Sequence, residues 1–209
     1  MIALWYKRTQ MVKTAVAIIG ATGKMGSAIA KALTKGPYRL LLFARNQQKL
    51  LQLNDEIRRM TPSADVDCLG CSTDACWEAD VIIPAVPRSA QKEVAQKIRE
   101  VATQKVVVSI TKPDSDNNNQ PSTRIINSAA EELQQWLPSA KVVTAFNTIS
   151  PADFLPVAGS SQPAEVLITG NDSEAINVVK GLVKTVGFNP IFAGDLSMSG
   201  TQKAVPFAD

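Results

Sequence analysis

At 209 residues, the chain is long enough for one large α/β domain with a sizeable core, and its composition is that of an ordinary globular protein. With 22 Lys+Arg against 19 Asp+Glu, a formal charge of +3 and no basic run, it has no electrostatic footprint for nucleic acid, and no apolar stretch reaches bilayer-spanning length. It contains no histidine, which excludes Ser-His-Asp and Cys-His nucleophile systems, His-ligated metals and His acid/base chemistry.

Taken in order, Met1 to Gln10 include Leu4, Trp5, Tyr6, Lys7 and Arg8 but no long apolar core and no cleavage site, so they do not read as a signal peptide. Residues 1–11 are expected to be an extension, disordered or loosely docked, and the cytoplasm is the expected compartment. From Val12 to Ile19 the chain is apolar except at Lys13 and Thr14, as in a central parallel strand covered on both faces. Gly20, Gly23 and Gly26 follow at intervals of three, and small and apolar residues then recur at helical spacing from Ser27 to Leu33. Strand, glycine turn and helix in this order form a phosphate cradle. The first glycine turns the chain, the second admits a phosphate to the backbone N–H groups, and the third lets the helix pack closely. The spacing is one residue longer in the first gap than the usual dinucleotide fingerprint, and no Gly-Lys-Ser/Thr closes a P-loop. A purely structural turn is the other reading.

Gly36-Pro37 breaks the chain before a strand from Tyr38 to Phe43. At its end stands Ala44-Arg45-Asn46, where an NAD-selective site usually has an acidic residue for the ribose hydroxyls. A guanidinium pairs with a 2′-phosphate and stacks on adenine, Lys49 lies a turn later, and Thr22 offers a hydroxyl donor, so NADP(H) is preferred over NAD(H). Otherwise Arg45 merely opens the next helix, expected from Gln47 to Met60. Further elements are a strand from Val66 to Cys71, a short helix from Ser72 to Ala79 and a strand from Asp80 to Pro87 whose prolines suit a strand leaving the ladder. A helix from Ser89 to Val101 and a strand from Lys105 to Ile110 come next. The polar run from Thr111 to Ser122 reads either as a mobile loop at the ligand-binding edge of the sheet or as a solvated connector. A helix from Thr123 to Leu137, a strand from Lys141 to Asn147, a short helix from Ser150-Pro151, and strands Ala164 to Gly170 and Asn189 to Gly194 complete the pattern. Between the last two strands, Ser173 to Val186 is helical with Ile176, Val179, Leu182, Val183 and Val186 on one face. The alternation predicts a single doubly wound, Rossmann-type, mostly parallel sheet of about eight strands over residues 12–209.

Cys68, Cys71 and Cys76 are too few and odd in number for a disulfide framework. The Cys-x-x-Cys spacing has no second pair and no histidine, so these thiols are expected to be buried in and around the third strand, with no metal.

With these pieces placed, the chain from about Val12 to Leu196 resembles the deazaflavin (coenzyme F-420)-dependent NADP reductase family. The likeness rests on Ile18-Ile19-Gly20-Ala21-Thr22-Gly23-Lys24-Met25-Gly26, on Ala44-Arg45 and on Ala79 to Pro87. It rests also on Val142-Val143-Thr144-Ala145-Phe146-Asn147-Thr148 and on the stretch from Gly187-Phe188 to Ala193-Gly194-Asp195-Leu196. The same module is similar to the cytosolic domain of membrane ferric reductases. The resemblance implies hydride transfer between NADPH and a deazaflavin, flavin or similar small-molecule acceptor, with no strong acid/base residue and in a homodimer. It implies that Thr22, Gly23, Lys24, Met25 and Arg45 hold the NADP phosphates, that Val86 and Pro87 line the cleft, and that Ala145, Phe146, Asn147 and Leu196 lie near the nicotinamide and the second cofactor. Lys24 is a less usual residue for the turn, and Arg88 stands where the family often has an aromatic residue. The chain reaches little beyond its eighth strand, so a flat or compact second substrate is expected rather than one held by a helical domain. An NADPH-binding sensor without turnover is the alternative. Reduction of a small carbonyl or imine would need a proton donor, for which Lys112, Asp114 and Asp195 are candidates.

Overall fold

The computed structural model describes residues 13–112, 128–154 and 163–200. The first strand, β1 (Thr14–Ile19), is buried from Ala15 onwards and takes a central place in an eight-stranded sheet. It pairs in parallel with β2 (Tyr38–Phe43) on one side and β4 (Val81–Pro84) on the other; β3 (Asp65–Cys68) lies outside β2, and β5 (Val106–Ser109) and β6 (Lys141–Thr144) extend beyond β4. The order is β3-β2-β1-β4-β5-β6-β7-β8, so the winding direction reverses between β1 and β4. Open α/β sheets form their ligand crevice at such a switch point.

Strand periodicity divides the core into two layers. One face of the sheet, with Val16, Ile18, Leu40 and Leu42, packs against α1 (Lys24–Leu33), α2 (Gln47–Met60) and α6 (Ser173–Thr185). The other, with Ala17, Ile19, Leu41 and Val107, packs against α3 (Ser72–Glu78), α4 (Arg88–Ile98) and α5 (Ala129–Trp136). Helices on both faces are the doubly wound arrangement expected from the alternation. None of these helices is long and apolar enough to cross a membrane.

Four features differ from the sequence expectation. β7 (Glu165–Gly170) runs antiparallel to β6, and β8 (Asn189–Phe192) follows it in parallel, so the β7-α6-β8 unit is inverted against the rest. Among the described residues, the β6-to-β7 connection holds only the 3-10 turn Pro151–Phe154, where a parallel crossover would normally carry a helix. β3 stops at Cys68, because Gly70 and Cys71 lead into α3; Cys71 is exposed, Cys68 is half-buried, and only Cys76 is buried. The expectation of three buried thiols is therefore corrected. β4 ends at Pro84, and Pro87 is the residue before the first turn of α4. α5 starts at Ala129 behind Ser128, whose hydroxyl accepts the Glu131 N–H while the Glu131 carboxylate accepts the Ser128 N–H, a reciprocal cap that sets the start of the helix. The extension at 1–11 and most of the polar run, including Asp114, lie outside the described residues.

Candidate functional site

At the end of β1, Gly20 takes φ +87, and a Cβ there would lie 2.5 Å from the Ala85 carbonyl oxygen. A Cβ on Gly26 would lie 2.5 Å from the Gly20 carbonyl oxygen, so α1 rests directly on the turn. Both glycines are needed for backbone approach within the protein. Gly23 is different. It is exposed, has an ordinary φ of −72, and a Cβ would meet only the Gly20 and Ala85 oxygens, at 3.2 and 3.7 Å. Gly23 is also the cap of α1, with no side-chain acceptor and no acidic residue in the first turn. The N–H groups of Lys24, Met25 and Gly26 have no backbone acceptor among the described residues. An α-helix begins with such orphan donors and a positive dipole end. Here they open onto the crevice beside a residue with no side chain. Exposed Lys24, half-buried Thr22 and half-buried Met25 flank this opening. The donor set fits a phosphate.

The turn is tied to β2, because Phe43 O accepts the N–H groups of Gly20 at 2.8 Å and Ala21 at 3.0 Å. Buried Ala44 and exposed Arg45 follow immediately. Arg45 makes no ion pair with a described residue, and its charge is felt by Glu93 of α4, whose carboxyl is held below the usual range chiefly by Lys97 and to a lesser degree by Arg45. Asn46 acts locally, since its Oδ1 accepts the Lys49 N–H at 2.9 Å and caps α2.

Across the switch point, the Ala85 N–H donates to Ile19 O at 2.8 Å and carries half-buried Val86 and exposed Pro87 to the crevice. The strand registers pair Ile19 with Pro84, Ile82 with Val107 and Ser109 with Thr144. Past the strand ends, Ala21 follows β1, Val86 follows β4, Thr111 follows β5 and Phe146 follows β6, all at the carboxyl edge of the sheet. With strands about 4.8 Å apart, β5 lies roughly 10 Å from β1, the strand that leads into the glycine turn.

At the β6 exit, Ala145 is buried and donates its N–H to Ser109 O at 3.1 Å. Phe146 has φ +60, a left-handed conformation rare for an aromatic residue. Its ring is turned into the core, 5.9 Å from Phe154 and 6.4 Å from Phe188 between centroids. Phe146 thus brings main chain, not its ring, to the carboxyl edge. Asn147 is buried beside it. Leu196 is packed in the core layer of α5, with its N–H donated to Asn171 Oδ1 at 3.1 Å.

Residues 15–113, which contain the glycine turn, Arg45 and the β4 exit, match the family model described as NADP oxidoreductase, coenzyme F420-dependent. The match takes in the first five strands of the sheet. The F420-dependent NADP reductase of Methanocaldococcus jannaschii is 28% identical over 198 residues, spanning 91% of this chain and 88% of that one. The F420-dependent NADP reductase of Methanothermobacter thermautotrophicus is 27% identical over 191 residues, 87% and 81% of the two chains. A solved structure of an Arthrobacter sp. FB24 protein named for the same activity has a TM-score of 0.71 at 24% identity, covering 89% of this chain and 87% of that chain, a likeness of fold.

Two features of the crevice in this chain escaped the sequence reading. One is the left-handed backbone at Phe146, for which an aromatic residue gives no signal. The other is Gln91, which is 1% exposed, donates through Nε2 to Thr111 Oγ1, and has no partner for its Oε1 among the described residues. A buried acceptor left unmet costs about 1–3 kcal/mol. A signal existed: Gln91, Ala95 and Ile98 share one helical face, and all three are buried, so an amide occupies an apolar register.

Proposed function

We propose that this protein is an NADP(H)-dependent oxidoreductase that passes hydride between NADPH and a deazaflavin, with a flavin as the nearest chemical substitute. The carrying observation is the donor-lined opening at Gly23, at the switch point of the sheet and next to an uncommitted arginine. The names of the methanogen reductases supply the second substrate. In this reading residues 12–209 form the nucleotide-binding unit. Gly20 and Gly26 build the turn, and Thr22, Gly23, Lys24 and Met25 hold the phosphates by main-chain N–H groups and side-chain donors. Ala44, Arg45 and Asn46 form the wall at the 2′-phosphate, with the guanidinium as its charge partner. Val86 and Pro87 line the cleft, and Ala145, Phe146, Asn147 and Leu196 shape the end where the two reacting rings meet.

The nicotinamide supplies a hydride, two electrons with one proton, and the balancing proton comes from solvent. No side chain has to change its protonation state, in keeping with a chain that has no histidine. The protein contributes orientation of the two rings and exclusion of water. We place the protein in the cytoplasm as a homodimer, as the family resemblance implies.

The test is anaerobic oxidation of NADPH, followed at the nicotinamide absorbance band, with deazaflavin, FMN, FAD and a quinone offered separately. Turnover with the deazaflavin is expected. Micromolar or tighter NADPH binding with no oxidation by any of the four would overturn the enzyme reading.

A further inference from the structure

The Gln91–Thr111 pair lies outside every role assigned so far. Gln91 belongs to the first turns of α4, and Thr111 follows the end of β5. Thr111 leaves β5 at the carboxyl edge of the sheet, two strands from β1 and its glycine turn. A dinucleotide anchored by its phosphates at α1 and extended across the switch point would bring its nicotinamide end toward this edge. The hydrogen bonding at the pair is one-sided. Thr111 Oγ1 accepts from Gln91 Nε2, and the Thr111 hydroxyl proton is donated to no described residue. Gln91 Oε1 accepts from no described residue. An apolar side chain would fill the Gln91 position without leaving an acceptor unmet. What the amide adds is its hold on the threonine.

We propose that Gln91 is a positioning residue for hydride transfer: by occupying the acceptor side of Thr111 Oγ1 it fixes the hydroxyl so that its proton is presented to an acceptor on the nicotinamide end, the carboxamide oxygen being the group of matching chemistry. The proposal rests on the NADP(H) reading above. Gln91 itself touches no reacting atom, and binding strength remains with the phosphate anchors. A residue of this kind affects rate more than affinity.

The experiment compares Gln91→Leu, Thr111→Val and the double variant with the intact protein in three measurements: melting temperature, NADPH affinity with the fluorescence of bound NADPH, and kcat with the acceptor that the intact protein uses. The expected result for Gln91→Leu is an unchanged or raised melting temperature, since the unmet acceptor is gone. NADPH affinity should stay within about threefold, the fluorescence of bound NADPH should change, and kcat should fall about tenfold or more. Thr111→Val should lose as much, the double variant no more than either single one, and Thr111→Ser should recover most of the rate lost in Thr111→Val. Intact kcat and fluorescence in Gln91→Leu would overturn the proposal. So would losses that add in the double variant, or parallel loss of melting temperature and kcat in both Gln91→Leu and Gln91→Met, which would mark a packing role. Should the intact protein bind NADPH and oxidise it with no acceptor, the functional reading fails, and the fluorescence comparison alone decides on Gln91: no change overturns its role.

Discussion

Gly20 and Gly23 stand three residues apart, yet the space around them separates folding from binding. A methyl group on Gly20 meets a backbone oxygen at 2.5 Å on a residue with positive φ, so Gly20→Ala should destabilise the fold by on the order of 1–3 kcal/mol. Gly23 has ordinary backbone angles, and a Cβ there meets its nearest backbone oxygen at 3.2 Å rather than 2.5 Å, so Gly23→Ala should cost clearly less stability than Gly20→Ala and lose NADPH affinity. Thermal melts and NADPH titrations of the two variants check this; a Gly23→Ala protein with parental affinity would move the phosphate elsewhere. Arg45 has no described ion-pair partner to lose, so Arg45→Ala should leave the melt unchanged and weaken NADPH binding about tenfold to a hundredfold, with little change for NADH. Equal loss for both nucleotides would remove the 2′-phosphate role. The cysteines show where residue-level reading stops. The spacing of Cys68 and Cys71 carries no information about exposure, which is set by where β3 ends. In the fold, burial pushes the Cys76 thiol up to about 12, while Cys71 is exposed. Alkylation of the native protein at pH 8 should therefore label Cys71 first and leave Cys76 unlabelled, as peptide mapping would show.

Elements were legible where a local signal sets their limits. β2 and α2 have the predicted ends because Gly36-Pro37 breaks the chain before one, Asn46 caps the other and Thr61-Pro62 stops it. β4 is shorter than the apolar run that predicted it, since Pro84 and Pro87 remove ladder donors. The direction of β7 was not legible at all. An apolar run of strand length reads the same in either direction, and the pairing of Thr144 with Thr169 is a tertiary fact: the two hydroxyls lie 2.7 Å apart, and the Thr169 N–H donates to Thr144 Oγ1. This inverted unit begins its helix with a cap that titrates. Asp172 accepts the Ala175 N–H and pairs with Lys141 at 3.1 Å, and these hold its carboxyl below the ordinary value of 3.8, the Ala175 bond most and Lys141 next. A folded pKa below the unfolded one gives stability that is complete above the unfolded value and is lost as pH falls through the folded one. Asp172→Asn keeps an oxygen for Ala175 and loses the charge. Its melting temperature should lie below the parent's at pH 6, with the gap closing as pH drops toward 3. A gap that stays constant across that range would show that the charge contributes nothing.

At the scale of the molecule, the site is a property of strand order. The glycine turn, Arg45 and the β4 exit are distant in sequence, and they meet because β1 has β2 on one side and β4 on the other. Sequence pattern supplied the pieces and the doubly wound class, whereas the strand order that joins them is a fact of the fold. Nothing local could place Gln91 against Thr111, because that depends on the β4–β5 register and on how α4 lies over it. A ligand that joins separate elements of one cooperative unit must raise the stability of the whole. If NADPH binds only the folded chain, NADPH at a hundred times its Kd adds about 2.7 kcal/mol, which for a domain of this size is a rise in melting temperature of roughly 5–10 °C. NADH at the same concentration should give a clearly smaller rise, because it lacks the 2′-phosphate that we propose Arg45 pairs with. The difference between the two should shrink in Arg45→Ala, and in the parent it should shrink as salt is raised and the exposed guanidinium is screened. Differential scanning fluorimetry over both nucleotides and a salt series measures all of this on one plate. Equal shifts for NADPH and NADH at low salt would mean that the crevice reads only the pyrophosphate and that the coenzyme preference assigned to Arg45 is wrong.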